Sequence, residues 1–202
     1  MEAWNYYWNN IEDWSDNSGT NIELYDTVPN HEEMHKECIR YDNWIHAKTD
    51  PSVVSQDVIN ILRNNFEDAP SMKWDGGKFV PDTIWKRWFA VPNAEHFPSI
   101  HKFLEDNKHQ YHLSVISKLG PGGVILPHTH KLIDKGNFVV GHTVFNMCIN
   151  YPRGCRFAMY PTGLIPYKPG DIYKLNVHEG QHSVINNTNQ DRYHLMMRPK
   201  NV

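Results

Sequence analysis

Cysteine is scarce in this 202-residue chain, and its three cysteines form no CxxC pair. The odd number of Cys38, Cys148 and Cys155 argues against a disulfide framework, and their spacing argues against a thiolate zinc site. The chain also lacks a run of about 20 apolar residues, which a membrane-spanning helix requires. Its first residues carry neither the basic region nor the apolar core of a signal peptide. These absences predict reduced structural thiols in a soluble, cytoplasmic protein.

A clustered stripe of Lys and Arg, typical of a nucleic-acid-binding surface, is also missing. Residues 1–50 carry 11 Asp/Glu and 3 Lys/Arg, a net charge of −8, whereas residues 51–202 carry +5. We therefore expect no nucleic-acid partner and no membrane partner. The length fits one domain, residues 1–202. What the chain does have in excess is histidine, at 13 positions.

The first 110 residues predict a helical and irregular N-terminal part. Residues 1–50 are rich in Trp, Tyr and Asn with weak periodicity, which indicates irregular structure whose aromatic side chains cover the rest of the domain. A lid or entrance wall is the functional alternative. Ser55 is suited to cap a helix whose apolar residues recur at near-helical spacing. A second helix is expected after Pro98, with three apolar residues on one face: Ile100, Phe103 and Leu104.

From residue 111 to the end the pattern becomes that of β-strands. Short runs rich in β-branched and aromatic residues are separated by Gly, Pro, Asn and Asp. The runs are YHLSVISKL, GGVIL, FVVGHTVFNMCIN, CRFAMY, DIYKLNV, HSVIN and RYHLMMR. Seven or eight short strands without intervening helices favour an antiparallel jelly roll, in which two sheets face each other across a cavity.

Two histidines, His128 and His130, follow a predicted strand in the sequence PHTH. Residues two apart on an extended chain face the same side, so both could approach one metal ion. With 13 histidines in 202 residues, about one such pair is expected by chance. A pair of solvated loop histidines is therefore the alternative interpretation.

A third histidine, His182, begins the run HSVINN, and Arg192 follows ten residues later in another predicted strand. Two neutral imidazoles would leave coordination positions open on an iron ion, and a nearby cation would hold a dicarboxylate co-substrate. The alternative is an ordinary edge-strand arginine that pairs with solvent or with a surface acid.

Three segments together resemble the aspartyl/asparaginyl β-hydroxylase family of Fe(II)/2-oxoglutarate-dependent oxygenases. They are FPSIHKFLEDNKHQYHLSVISKLGPGGVILPHTH, CINYPRGCRFAM and HSVINNTNQDR, and the resemblance runs from about residue 97 to residue 198. It implies a double-stranded β-helix, a cupin-like jelly roll, over residues 111–202. It also implies that His128 and His182 bind the metal and that Ser117 and Arg192 bind 2-oxoglutarate.

The chain departs from the family at two places. The family has Gly where this chain has His130, so His130 is a candidate third ligand of a three-histidine centre. If it points away, the metal keeps two protein ligands. The family's co-substrate-binding Arg-x-His pair is replaced by Val144 and Asn146. His142 lies on the same predicted strand face as Asn146 and is a candidate substitute, with a core or surface histidine as the alternative.

The same region also fits a cupin-like pattern, whose residues are Gly122, His128, His130, Asp134, Gly141, His182 and Asn186. Some cupins use three histidines for a dioxygenase reaction without 2-oxoglutarate. Ser117 and Arg192 favour the first interpretation, because such a cupin has no need for a cation at that place. We therefore expect an enzyme that uses Fe(II), O2 and 2-oxoglutarate to hydroxylate an amino acid, a peptide side chain or a small metabolite, releasing succinate and CO2.

Overall fold

Antiparallel β-strands make up most of the structure, a computed structural model that describes residues 21–46, 72–75, 78–81, 86–128, 143–160, 162–177 and 180–200. Two helices and thirteen strands are present in these ranges. In chain order they are β1 (Ile22–Thr27), α1 (His31–Arg40), β2 (Ile45–His46), β3 (Met72–Asp75), β4 (Lys78–Pro81), β5 (Arg87–Ala90), α2 (Pro98–Asp106), β6 (Tyr111–Leu119), β7 (Val124–His128), β8 (Val144–Cys148), β9 (Cys155–Tyr160), β10 (Gly163–Leu164), β11 (Asp171–Leu175), β12 (Gln181–Asn186) and β13 (Arg192–Pro199).

The strands form two main sheets and one separate hairpin. The larger sheet has seven strands in the order β1-β11-β8-β13-β6-β5-β2, and the smaller has four in the order β10-β9-β12-β7. Strands β3 and β4 form the hairpin. Strands β6 to β13 are shared equally between the two main sheets, and all their pairings are antiparallel. This is the double-sheet arrangement of a jelly roll.

The facing sides of the two sheets are joined by a buried apolar core. It contains Ile22, Leu119, Ile125, Val144, Cys148, Phe157, Met159, Ile165, Tyr167, Tyr173, Leu175, Val177 and Val184. Side chains alternate between the faces of a strand, so core residues of one strand lie an even number of residues apart, as Phe157 and Met159 or Tyr173 and Leu175 do. Polar residues at the same alternating positions are therefore held between the sheets, where water is excluded.

Helices α1 and α2 cover the outer face of the seven-stranded sheet. Met34 and Cys38 of α1 and Ile100 of α2 belong to a second buried cluster with outward-facing residues of β6, β8 and β13. Glu37 ties the two helices together, because its carboxylate accepts hydrogen bonds from the backbone N–H groups of Ser99 at 2.7 Å and Ile100 at 3.4 Å. The seven-stranded sheet is thus packed on both faces.

The N-terminal part differs from the sequence prediction. The helix after Pro98 is present as α2, whereas the helix expected at Ser55 lies outside the described residues. The prediction of irregular structure for residues 1–50 is wrong for β1 and α1. β1 buries only Ile22, and α1 buries one methionine, one cysteine and one glutamate. Neither element therefore shows the apolar periodicity that sequence reasoning requires.

One end of the jelly roll is fastened by the buried side chain of Asn186. Its Nδ2 donates to the backbone oxygens of Leu119 at 2.9 Å, Gly120 at 3.0 Å and Gln190 at 2.8 Å. Its Oδ1 accepts from Thr188 Oγ1 at 2.6 Å. Asn186 thus links the turn after β6 to the turn before β13 and fixes the position at which β13 begins.

No helix among the described residues is long and apolar enough to cross a membrane.

Candidate active site

A cavity of about 40 Å³ lies between the two sheets. It is lined by Arg87, Ser117, Ile125, Val144, Asn146, Phe157, Leu175, Val177, His182, Val184, Arg192, His194 and Met196. Four residues that the sequence singled out, Ser117, Asn146, His182 and Arg192, therefore share one cavity although they lie on four different strands. Asp and Glu are missing from the described residues that line it.

His128 and His182 are directly opposite each other on the neighbouring strands β7 and β12. Ile125 and Val184 form the next pair of this ladder, and the pairing register shifts by one residue between the two pairs. β7 therefore contains a β-bulge, and Pro127 lies within it, where a residue without a backbone donor is tolerated. The bulge keeps positions 125 and 128, which are three apart, in register with positions 184 and 182, which are two apart. It places position 128 on the same face of the sheet as His182.

His182 is a buried, neutral imidazole. Burial lowers its pKa to about 4; the hydrogen bond to Gly180 opposes this shift, and the charge of Arg87 adds to it. Its Nδ1 lies 3.2 Å from the backbone oxygen of Gly180, which can only accept, so Nδ1 carries the ring proton. Nε2 then keeps its lone pair, the form in which histidine binds a metal, with the backbone bond fixing the ring.

Arg192 is a buried cation whose hydrogen-bonding capacity is incompletely used. The residue is 2% exposed, and its Nε and Nη2 atoms have no hydrogen-bond partner among the described residues. Its guanidinium carbon lies 5.6 Å from the ring centre of Phe157 and 6.0 Å from that of Tyr151. A buried charge with unsatisfied donors is costly, so the geometry is that of a binding site for an anionic ligand.

Ser117 lies beside a second buried guanidinium, that of Arg87. Arg87 Nε donates a hydrogen bond to Ser117 Oγ at 3.2 Å, and Arg87 also lies 4.7 Å from the ring centre of Phe89. Burial, and after it the charge of Arg192, lower the pKa of Arg87 to about 9. Arg87 was not predicted from the sequence, because RWFA is a four-residue strand that opens on a charge and follows no apolar pattern.

Asn146 holds a histidine that was not predicted, His194. The amide oxygen of Asn146 accepts a hydrogen bond from His194 Nδ1, and His194 Nε2 is buried without a partner among the described residues. Burial, and then the charge of Arg192, lower the pKa of His194 well below its usual value, so the ring is neutral. The sequence contained a signal for His194, because it lies two residues after Arg192 in one predicted strand and so shares its face.

The structure describes little of the three remaining histidines that the sequence predicts for the site. The structure gives the backbone position of His128, whereas His130 and His142 lie outside the described residues. Within the described ranges, no group of three or more His, Cys, Asp or Glu side chains is arranged to hold a metal ion. The backbone register and the lone pair on His182 are therefore the observations that bear on a metal centre.

No family model matches the chain, and no curated protein matches it. Among solved structures, it is similar to a prolyl-4-hydroxylase from Pseudomonas putida, with a TM-score of 0.53 and 10% identity over 92% of this chain and 95% of that one. It also matches the viral collagen prolyl hydroxylase of Paramecium bursaria Chlorella virus-1, solved as a 2OG complex, with a TM-score of 0.43 and 11% identity over 90% and 96% of the two chains. A third match is the Escherichia coli ribosomal oxygenase YcfD, with a TM-score of 0.35 and 19% identity over 91% and 54%. The similarity to the Pseudomonas enzyme shows a shared fold.

Proposed function

We propose that this protein is an Fe(II)/2-oxoglutarate-dependent oxygenase, a hydroxylase of the aspartyl/asparaginyl β-hydroxylase type. The observation that carries the proposal is the buried Arg192, whose Nε and Nη2 have no hydrogen-bond partner among the described residues, in the same cavity as the neutral His182. This chemistry requires a cationic side chain that binds the co-substrate carboxylate and an imidazole that binds the metal.

The residues present fit an iron ion. His182 offers Nε2, and position 128 lies directly opposite on the next strand. Residues opposite each other in an antiparallel pair have Cβ atoms about 5 Å apart, a separation that two imidazoles bridge through one metal ion. We assign His128 and His182 as ligands, with His130 as the candidate third ligand.

The polar residues that line the cavity also suit the co-substrate. The planar guanidinium of Arg192 matches a carboxylate, and the charge-assisted bond is strengthened by the dry surroundings. The proposed site places the distal carboxylate of 2-oxoglutarate against Arg192 and Ser117. Asn146 contributes indirectly, through its hydrogen bond to His194, which lines the same cavity. His142 remains a predicted contributor to co-substrate binding.

When bound, iron supplies the oxygen chemistry: one substrate C–H group, O2 and 2-oxoglutarate become an alcohol, succinate and CO2. The chain binds, orients and keeps water out. Apolar walls from both sheets, including Val144, Phe157 and Leu175, close the cavity around the polar groups. The proposed substrate is an amino acid, a peptide side chain or a small metabolite. The single domain and the cytoplasmic location stay predictions.

An anaerobic titration tests this proposal. Fe(II) is added to the metal-free protein, followed by 2-oxoglutarate, while the weak visible charge-transfer absorption of the iron chelate is recorded. The wild-type protein should develop the band, and Arg192→Met should bind Fe(II) but require far more 2-oxoglutarate. Tight Fe(II) binding without a band at saturating 2-oxoglutarate would contradict the proposal. That result is the one expected of a three-histidine cupin dioxygenase that does not use 2-oxoglutarate.

A further inference from the structure

Arg87 has no role in the function proposed so far, yet it lines the same cavity as Arg192. We propose that Arg87 is a second cation of the co-substrate site, which turns Ser117 into a hydrogen-bond donor toward the distal carboxylate and makes the site select dianions over monoanions. This inference rests on the proposed function and deepens it. Arg87 acts through Ser117 and is therefore a positioning residue.

The two guanidinium groups reach the cavity from the strands on either side of β6. Arg87 on β5 and Arg192 on β13 are both in register with Leu119, which lies between them. Strands are about 4.8 Å apart, so the two Cα atoms are separated by about 10 Å. Both side chains lie on the cavity side of the sheet. One carboxylate bound between the two strands can therefore interact with both positive charges.

The hydrogen bond between Arg87 and Ser117 determines what the serine can offer a ligand. Ser117 Oγ accepts a hydrogen bond from Arg87 Nε at 3.2 Å. A hydroxyl group has a single proton, and with an acceptor site already occupied that proton is available to donate. Ser117 is in register with His194 on one side and Phe89 on the other, so its hydroxyl lies between the two arginine-bearing strands.

The position of Arg87 is fixed by apolar contacts as well. Its guanidinium lies over Phe89, and its Nη2 is 3.8 Å from Met196 Sδ. A guanidinium held in this way keeps its direction before any ligand arrives, so little conformational entropy is lost on binding. A carboxylate bound between Arg87 and Arg192 adds a second negative charge to that of the 2-oxo acid group, so the cavity favours a dianion over a monoanion.

The test measures binding without turnover. Mn(II) replaces Fe(II), and calorimetry gives the dissociation constants of 2-oxoglutarate and of 2-oxobutanoate, which has the same 2-oxo acid group but no distal carboxylate. Arg87→Met should weaken 2-oxoglutarate binding on the order of tenfold to 100-fold and leave 2-oxobutanoate binding within about twofold. Arg87→Lys should restore part of the loss. Arg198→Met, a change at a partly buried arginine that does not line the cavity, is the control and should change neither constant.

A double-mutant cycle separates positioning from general structure. If Arg87 acts through Ser117, Arg87→Met should cost less in a Ser117→Ala background than in the wild type. An unchanged 2-oxoglutarate constant in Arg87→Met, or an equal loss for both ligands, overturns the inference while the proposed function stands. If the wild type binds Mn(II) but not 2-oxoglutarate, both fail. If Arg87→Met does not fold, Arg87→Gln, which also removes the charge, replaces it in both measurements.

Discussion

His182 and His128 face each other across the β12–β7 ladder, although the chain between them runs through both sheets of the jelly roll. Replacing either with Ala should weaken Fe(II) binding roughly 100-fold or more, because loss of one imidazole leaves too few protein ligands. Anaerobic equilibrium dialysis measures the affinity. His96→Ala is a suitable control, since the His96 side chain is 42% exposed and distant in sequence from both strands. Stoichiometric Fe(II) binding in either site variant would contradict the proposed centre.

Arg192 should govern the affinity for the co-substrate and not for the metal. Losing one partner of a buried charge pair costs on the order of 2 to 5 kcal/mol, so Arg192→Ala should raise the 2-oxoglutarate constant roughly 30-fold to several thousand-fold. Arg192→Lys should be a poor substitute, because an ammonium group cannot form the bidentate fork. The consumption of 2-oxoglutarate and the Fe(II) affinity are measured side by side. An unchanged co-substrate dependence would contradict this role.

His130 tests the number of metal ligands. If His130 is the third ligand, His130→Gly should lower the Fe(II) affinity while leaving Arg192-dependent 2-oxoglutarate binding in place. Dialysis and calorimetry on the same preparation give both quantities. Full metal affinity and full turnover in His130→Gly would show a two-histidine centre, which is what the family resemblance implies.

The sequence predicted the jelly-roll strands better than it predicted the contents of the cavity. The runs after residue 110 alternate or are continuously apolar, and each overlaps a strand of the structure. Ser117 and Arg192 were assigned to the co-substrate through the family resemblance, and both line the cavity. Arg87 was missed because its short strand has no pattern. Its place beside Ser117 depends on strand pairing, which local sequence does not encode.

The metal-free protein should lose stability as the pH falls below 6.5. His194 has its pKa lowered by burial from 6.5, so the unfolded chain takes up a proton that the folded chain does not. The stability is fully present above pH 6.5 and should fall below it by about 1.4 kcal/mol per pH unit for one such histidine. Urea unfolding between roughly pH 7.5 and pH 5 measures the slope. His194→Gln should have a shallower slope, and equal slopes would contradict the assignment.

Asn186 should be essential for stability at the end of the cavity where β13 begins. Asn186→Ala removes three donated hydrogen bonds and leaves buried carbonyl groups unsatisfied, so the free energy of unfolding should fall by about 2 to 4 kcal/mol. Asn186→Asp should be at least as harmful, because a carboxylate cannot donate to those oxygens. The exposed Asn189 offers a matched control, and Asn189→Ala should change stability by less than about 0.5 kcal/mol. A small effect of Asn186→Ala in urea unfolding would contradict this role.

The bulge in β7 makes the chain's tolerance of insertions and deletions uneven. Removing one residue between Ile125 and His128 would restore a regular ladder and leave the histidine opposite His182, on the same face of the sheet. Every amino acid type needed for the centre would still be present. One additional residue at Leu126 or Pro127, with the bulge unchanged, would instead turn the histidine to the opposite face of the sheet from His182, so a single-codon insertion there would separate the fold from its chemistry.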